Sequence, residues 1–182
     1  MTKVIMCGCN GHMGQVITDI CKADPTVEIV AGIDKYDGIK NEYPVFAAIK
    51  DCDVAADAII DFSNVSLVDD LLDYSAEKQI PVVLCTTGLS DEQLEHVAEI
   101  SKKVAVLRSA NMSLGINTLL NLLKTAAQVL APAGFDMEIV EKHHNQKLDA
   151  PSGTSKELGE IIAGVRGEKL ADVADYGRKG RG

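Results

Sequence analysis

Short aliphatic and β-branched runs alternate with amphipathic stretches through the first 109 residues of the chain. The runs at 3–7, 27–33, 58–62, 81–85 and 104–109 have the length and composition of buried strands. The stretches at 14–23, 65–78 and 91–101 repeat apolar residues at helical spacing. Short apolar strands alternating with helices predict a parallel, doubly wound α/β sheet.

The pattern changes after residue 112. Ile116, Leu119, Leu120, Leu123, Ala127 and Leu130 trace one face of a long helix, and Pro132 and Gly134 stop it. Residues 136–142 read as a strand, and 154–165 as a further helix with Ser152 as its N-cap. The tail from Tyr176 is basic and glycine-rich, without an apolar period. Two domains are therefore expected: 1–112 for dinucleotide binding, and 113–182 as a second, incomplete α+β domain for substrate binding and oligomerisation. A single strand cannot cover a sheet of its own.

The first candidate chemistry lies in the turn Gly8-Cys9-Asn10-Gly11-His12-Met13-Gly14. It follows a predicted strand, opens a helix, and precedes Asp34 at the end of the second strand by about 20 residues, the context that a dinucleotide fingerprint requires. Glycines let the backbone approach a pyrophosphate, and a helix N-terminus offers amide donors. This makes the expected sheet one of the Rossmann type. Asp34 can accept hydrogen bonds from a ribose hydroxyl. The loops Cys85-Thr86-Thr87-Gly88 and Ser109-Ala110-Asn111-Met112 follow the fourth and fifth strands, placed to touch the nicotinamide half.

The second lies in residues 141–154, Glu-Lys-His-His-Asn-Gln-Lys-Leu-Asp-Ala-Pro-Ser-Gly-Thr. His143 and His144 start toward opposite faces if extended, so a turn at Asn145-Gln146 is needed to bring both to one pocket. Lys147 adds a positive charge, and Ser152-Gly153-Thr154 offers backbone amides at a helix start. Such a group can hold a small dianion and pass it a proton.

Charge and cysteine usage narrow the partners. The formal net charge is −9 and no long basic run occurs, which argues against nucleic acid or an anionic membrane as partner. The apolar run at 4–7 is too short for a signal peptide and no run reaches transmembrane length. The five cysteines lack C-x-x-C spacing, so reduced cytosolic thiols are expected and no metal site.

The stretch 141–154 meets every fixed position of the pattern E-x-H-H-x-x-K-x-D-A-P-S-G-T. With it the chain resembles the 4-hydroxy-tetrahydrodipicolinate reductase family, also called dihydrodipicolinate reductase. Further matches are Gly8 to Gly14, Asp61-Phe62-Ser63, Thr86-Thr87-Gly88, Asn111-Met112-Ser113-x-Gly115-x-Asn117 and Tyr176-Gly177-Arg178. The resemblance implies hydride transfer from NADH or NADPH to a cyclic imine dicarboxylate in diaminopimelate and lysine biosynthesis. It implies His143 as proton donor/acceptor and Lys147 as proton donor, with His144, Ser152, Gly153 and Thr154 binding substrate carboxylates. Gly8, Cys9, Asn10, Gly11, His12, Met13, Asp34, Lys35, Cys85, Thr86, Thr87, Ser109, Ala110, Asn111 and Met112 would line the cofactor. A homotetramer is implied for the whole family protein.

His12 and Lys35 stand where the family often has arginine, which puts preference for NADPH in question. The family also continues past Tyr176-Gly177-Arg178, so the chain is expected to be a partial one that binds nucleotide with little turnover. The rival reading is another nicotinamide-dependent enzyme, such as an amino-acid dehydrogenase, which would not require the Asp-Ala-Pro-Ser-Gly-Thr turn.

Overall fold

In the computed structural model, which describes residues 1–109, 111–145 and 150–177, the chain divides into two compact units, 1–110 and 111–182. The first holds β1 (Thr2–Cys7), α1 (His12–Ala23), β2 (Val27–Ile33), β3 (Val45–Phe46), β4 (Ala58–Asp61), α2 (Val68–Lys78), β5 (Val82–Leu84), α3 (Asp91–Ile100) and β6 (Val106–Arg108). Its six strands form one sheet in the order β3-β2-β1-β4-β5-β6, and every neighbouring pair is parallel. This is the doubly wound arrangement expected, with the order reversing between β1 and β4.

The centre of the sheet is apolar on both sides. Ile5, Met6, Ile59, Leu71, Leu72 and Leu84 have essentially no exposed surface. A fully buried side chain of this size contributes about 1.5–3 kcal/mol by leaving water. Aliphatic residues carry this core, and Tyr74 joins it by donating its hydroxyl proton to the Cys52 carbonyl at 2.9 Å.

Several element bounds shift by a few residues from the sequence reading, and one strand, β3, was not expected. Helix α1 begins at His12 rather than Gly14, because Gly11 already takes the extended backbone of an N-cap. Gly14 then sits in the first turn, where a Cβ would lie 2.2 Å from the Gly8 carbonyl oxygen. Strand β3 is only two residues long, too brief to leave an alternating pattern.

The second unit holds α4 (Leu114–Leu130), α5 (Gly153–Val165) and α6 (Leu170–Val173). Ser113 caps α4 and Ser152 caps α5, the latter as the sequence predicts. Helix α4 packs on α5, burying Leu120 and Ala127, while Leu119 and Leu130 stay exposed. The strand expected over 136–142 does not form: these residues pair with no strand among those described. An extended segment becomes a strand only where a neighbour supplies the ladder.

On the surface of the first unit, His96 of α3 joins two carboxylates of α2. Its Nδ1 lies 2.8 Å from Asp69 Oδ1 and its Nε2 3.1 Å from Asp73 Oδ1. The hydrogen bond to Asp69 raises the imidazole pKa above its ordinary 6.5, against a smaller opposing effect of burial. The same bond lowers Asp69 from 3.8. A raised folded value means that the clasp is complete below about pH 6.5 and weakens as pH rises through the folded pKa. The Asp69 contribution is present above about pH 4 and is lost as pH falls through its lowered value. Between pH 6 and 8 the wild type should therefore lose up to about 1 kcal/mol that His96→Ala does not lose. Thermal unfolding of both proteins at the two pH values checks this; parallel pH responses would remove the clasp from the account.

Candidate functional site

The parallel strands place their carboxyl ends along one edge. Cys7 pairs with Ile33 and Asp61, Asp61 with Leu84, and Leu84 with Arg108. Backbone hydrogen bonds continue one residue further: Gly8 N–H to Ile33 O, Phe62 N–H to Cys7 O, Cys85 N–H to Asp61 O and Ser109 N–H to Leu84 O, at 2.8–3.1 Å. The loops that carry Gly8, Asp34, Phe62, Cys85 and Ser109 therefore leave the sheet side by side.

Gly8 has φ +76°, and a Cβ there would lie 2.4 Å from the Phe62 carbonyl oxygen. Two independent constraints thus demand glycine. Gly11 caps α1 without a side-chain bond, so the helix presents bare amides at its start. An amide-lined turn with no Cβ in its way fits the pyrophosphate of a dinucleotide.

Asp34 is fixed by backbone donors, accepting from Asn10 N–H at 2.9 Å through Oδ2 and from Tyr36 N–H at 3.0 Å through Oδ1. The remaining lone pairs suit a ribose hydroxyl. Asn10 itself is buried; its amide donates to the Tyr36 carbonyl and its Oδ1 accepts from Asn41 at 2.6 Å. The Asn10 side chain therefore ties the turn to the loop after β2. Cys9, Cys85 and Thr86 are also buried, and burial pushes the Cys9 and Cys85 thiols up to about 11. They stay protonated at neutral pH and build the wall of the edge, while Gly11, His12, Met13, Lys35 and Thr87 are exposed on it.

The second unit gathers the other group. His143 and His144 are exposed, Gly153 and Thr154 begin α5, and Ser152 is buried as its cap. Asn111 donates to Thr154 Oγ1 at 3.2 Å and accepts from Ser113 N–H at 2.8 Å, so it belongs with the start of α5. Met112 is exposed in the same unit. Ala110 and Lys147 lie outside the described residues, as do Arg178 and the residues after it.

Comparison with known proteins covers both units. Residues 2–112 match the family model described as dihydrodipicolinate reductase, N-terminus, and residues 115–180 match dihydrodipicolinate reductase, C-terminus. The chain belongs to the dihydrodipicolinate reductase family. It is 51% identical to the 4-hydroxy-tetrahydrodipicolinate reductase of Clostridium novyi, over 89% of this chain and 64% of that protein. It is 48% identical to that of Caldanaerobacter subterraneus, over 98% of this chain and 69% of the relative. It thus spans about two thirds of the length of these relatives. A dipicolinate-bound dihydrodipicolinate reductase from Paenisporosarcina superposes with TM-score 0.72 at 30% identity, covering 91% of this chain and 67% of that one.

Two carboxylates in these family motifs received no role from the sequence. Asp61 has no exposed surface. It accepts from Ser63 Oγ at 2.5 Å, Ser63 N–H at 3.1 Å and Thr86 Oγ1 at 2.6 Å. Burial raises its pKa, and the bonds from Ser63 and Thr86 oppose that rise. It therefore locks the loops after β4 and β5 together. Glu141 accepts from Ser152 N–H at 2.9 Å, and its Oε2 lies 3.6 Å from His143 Nδ1. The signal for both was their place inside the family's motif matches; their hydrogen bonds depend on the folded chain.

Gly8→Ala tests the turn. Forcing an L-residue into the left-handed region costs about 1–2 kcal/mol even before the collision with Phe62. The variant should melt several degrees lower and lose at least about tenfold in dinucleotide affinity, since the amides must shift from the pyrophosphate. Calorimetric titration checks it; wild-type affinity would mean that the turn holds no phosphate.

Proposed function

We propose that this protein acts as a 4-hydroxy-tetrahydrodipicolinate reductase, reducing a cyclic, conjugated imine dicarboxylate to tetrahydrodipicolinate with NADH or NADPH. The observation that carries this reading is that one family's two models match across both units, and the His143–Thr154 motif falls in the second match. In this reading the first unit holds the dinucleotide through Gly8, Gly11, the start of α1 and Asp34. The backbones of Cys9, Asn10, Cys85, Thr86 and Ser109 line it, with His12, Met13, Lys35 and Thr87 at its margins. When bound, the reduced nicotinamide supplies the hydride.

The second unit holds the dicarboxylate. Gly153 and Thr154 offer backbone N–H groups at the positive end of α5, Ser152 shapes that end, and His144 adds a donor. His143 and Lys147 supply the proton that must accompany each hydride. The dipicolinate carried by the Paenisporosarcina structure supports a dicarboxylate as the class of ligand. Pathway placement in diaminopimelate and lysine biosynthesis follows from that substrate. Unpaired thiols at all five cysteines support a reducing compartment, the cytoplasm. A coupled reductase assay on the whole protein tests the reading; failure to oxidise either cofactor with this substrate overturns it.

Cofactor preference follows from Asp34. Its carboxylate stands where a 2′-phosphate would sit, and like charges repel. Lys35 offers a point charge rather than an arginine fork. NADH should bind at least as tightly as NADPH; titration with both checks this, and a tenfold or larger preference for NADPH would contradict it.

Lys147→Ala should remove a proton donor. A general acid typically contributes about 10²–10⁴-fold, so turnover should fall by that order while dinucleotide affinity holds. Steady-state kinetics beside cofactor titration would show it, and near-normal turnover would refute the assignment.

Assembly into a homotetramer is the proposed oligomeric state. Leu114, Leu122 and Val129 on α4 are 84%, 63% and 68% exposed, a surface suited to burial by another subunit. Sedimentation of the whole protein decides it, a monomer being the contrary outcome.

A further inference from the structure

Glu141 is placed between a helix start and an imidazole. Its Oε1 accepts from Ser152 N–H at 2.9 Å. Ser152, 6% exposed, in turn caps the 13-residue α5 by accepting from Ser155 N–H at 3.1 Å. The carboxylate therefore sits at the positive end of a helix dipole, which favours its charged form. Hydrogen bonds from Ser152 and Ser155 hold its pKa at about 2, so it is an anion at any pH where the protein works.

The other oxygen is committed less fully. Oε2 is shut off from water and accepts no hydrogen bond among the described residues. Its near neighbour is His143 Nδ1 at 3.6 Å, within ion-pair range but longer than a hydrogen bond. A shielded carboxylate oxygen without a donor is costly, and a small rotation of the exposed imidazole would supply one. Contacts of this kind often tighten only when a substrate arrives.

We propose that Glu141 is a positioning residue for His143: pinned to the start of α5, its carboxylate keeps a proton on Nδ1 and leaves Nε2 to exchange a proton with the substrate. The inference rests on the reading of His143 as proton donor/acceptor. The tautomer of a histidine is set by what its other nitrogen bonds to. When the charged ring gives up its Nε2 proton, the N–H bond breaks and a substrate–H bond forms. The neutral Nδ1–H ring left behind is the form that Glu141 stabilises, and water restores the Nε2 proton. The same carboxylate anchors Ser152, so proton exchange and the start of α5 share one support.

Glu141→Gln separates positioning from capping. Its amide oxygen still accepts from Ser152 N–H, while its NH₂ faces Nδ1, which can then only accept. In histidine-labelled protein at a pH where the ring is neutral, ¹⁵N spectra should show His143 as Nδ1–H in the wild type and Nε2–H in the variant. kcat should fall by at least about tenfold, the lower end of the loss seen when outer partners of metal-bound histidines are removed, with KM for the dinucleotide unchanged. The same tautomer in both proteins overturns the proposal. So does a variant with lowered Tm and unaltered kcat, for which Glu141 would be a helix cap alone. Glu141→Ala, which removes both contacts, should lower Tm as well as kcat. A wild type without reductase activity would sink the functional reading instead, and the spectra would still decide the Glu141 contact.

Discussion

Parallel pairing of every strand constrains all else in the first unit. A parallel neighbour can be reached only by a crossover, so each central strand is followed by a connection that returns the chain to the opposite end. The five ends Cys7, Ile33, Asp61, Leu84 and Arg108 consequently share one edge, held in register by the ladder. Residues far apart in sequence then leave the sheet together. The turn after β1 must also clear the chain leaving β4, and Gly8 meets that demand by having no Cβ where Phe62 passes.

Carboxylates do much of the fastening. Asp34 accepts backbone N–H groups of Asn10 and Tyr36, Asp61 that of Ser63, and Glu141 that of Ser152. A hydrogen bond to a charged partner contributes about 1.5–3 kcal/mol, more than a neutral one. Each carboxylate joins segments that no regular element links: the turn after β1 to the loop after β2, the loops after β4 and β5, and the 141–143 segment to α5. The net charge of −9 is therefore not all free surface charge, since Asp61 is fully enclosed. Anion capture in the proposed reading relies on local donors at helix starts, whose short-range field outweighs a distant negative surface screened by salt.

The two units use different ways to hold their helices. In the first, helices flank a parallel sheet whose central strands are largely apolar. In the second, α4 and α5 lie on each other, and the residues these two helices bury are few: Leu120, Ala127, Gly159 and Ala163. Small residues at such positions let two helices approach closely. Gly159 has a further reason to be bare, since a Cβ there would meet Leu170 of α6 at 2.8 Å.

By itself the sequence determined which stretches became the long elements of the first unit, because apolar periodicity is a local property that burial enforces residue by residue. It also determined the glycine turn and the Ser152 cap, where a single residue type satisfies a backbone need. The family, too, was legible, since its longest motif is contiguous. Tertiary structure decided the rest. Strand β3 exists because β2 offers an open edge to Val45 and Phe46, whereas residues 136–142 join no strand ladder among the described residues. The Asn10 side chain acts as a strut because Tyr36 and Asn41 come back to meet it. Asp61 and Glu141 acquired their roles only when Thr86 and Ser152 arrived from 25 and 11 residues away. Spacing along a chain records local geometry, whereas a hydrogen bond between loops depends on how the intervening elements pack.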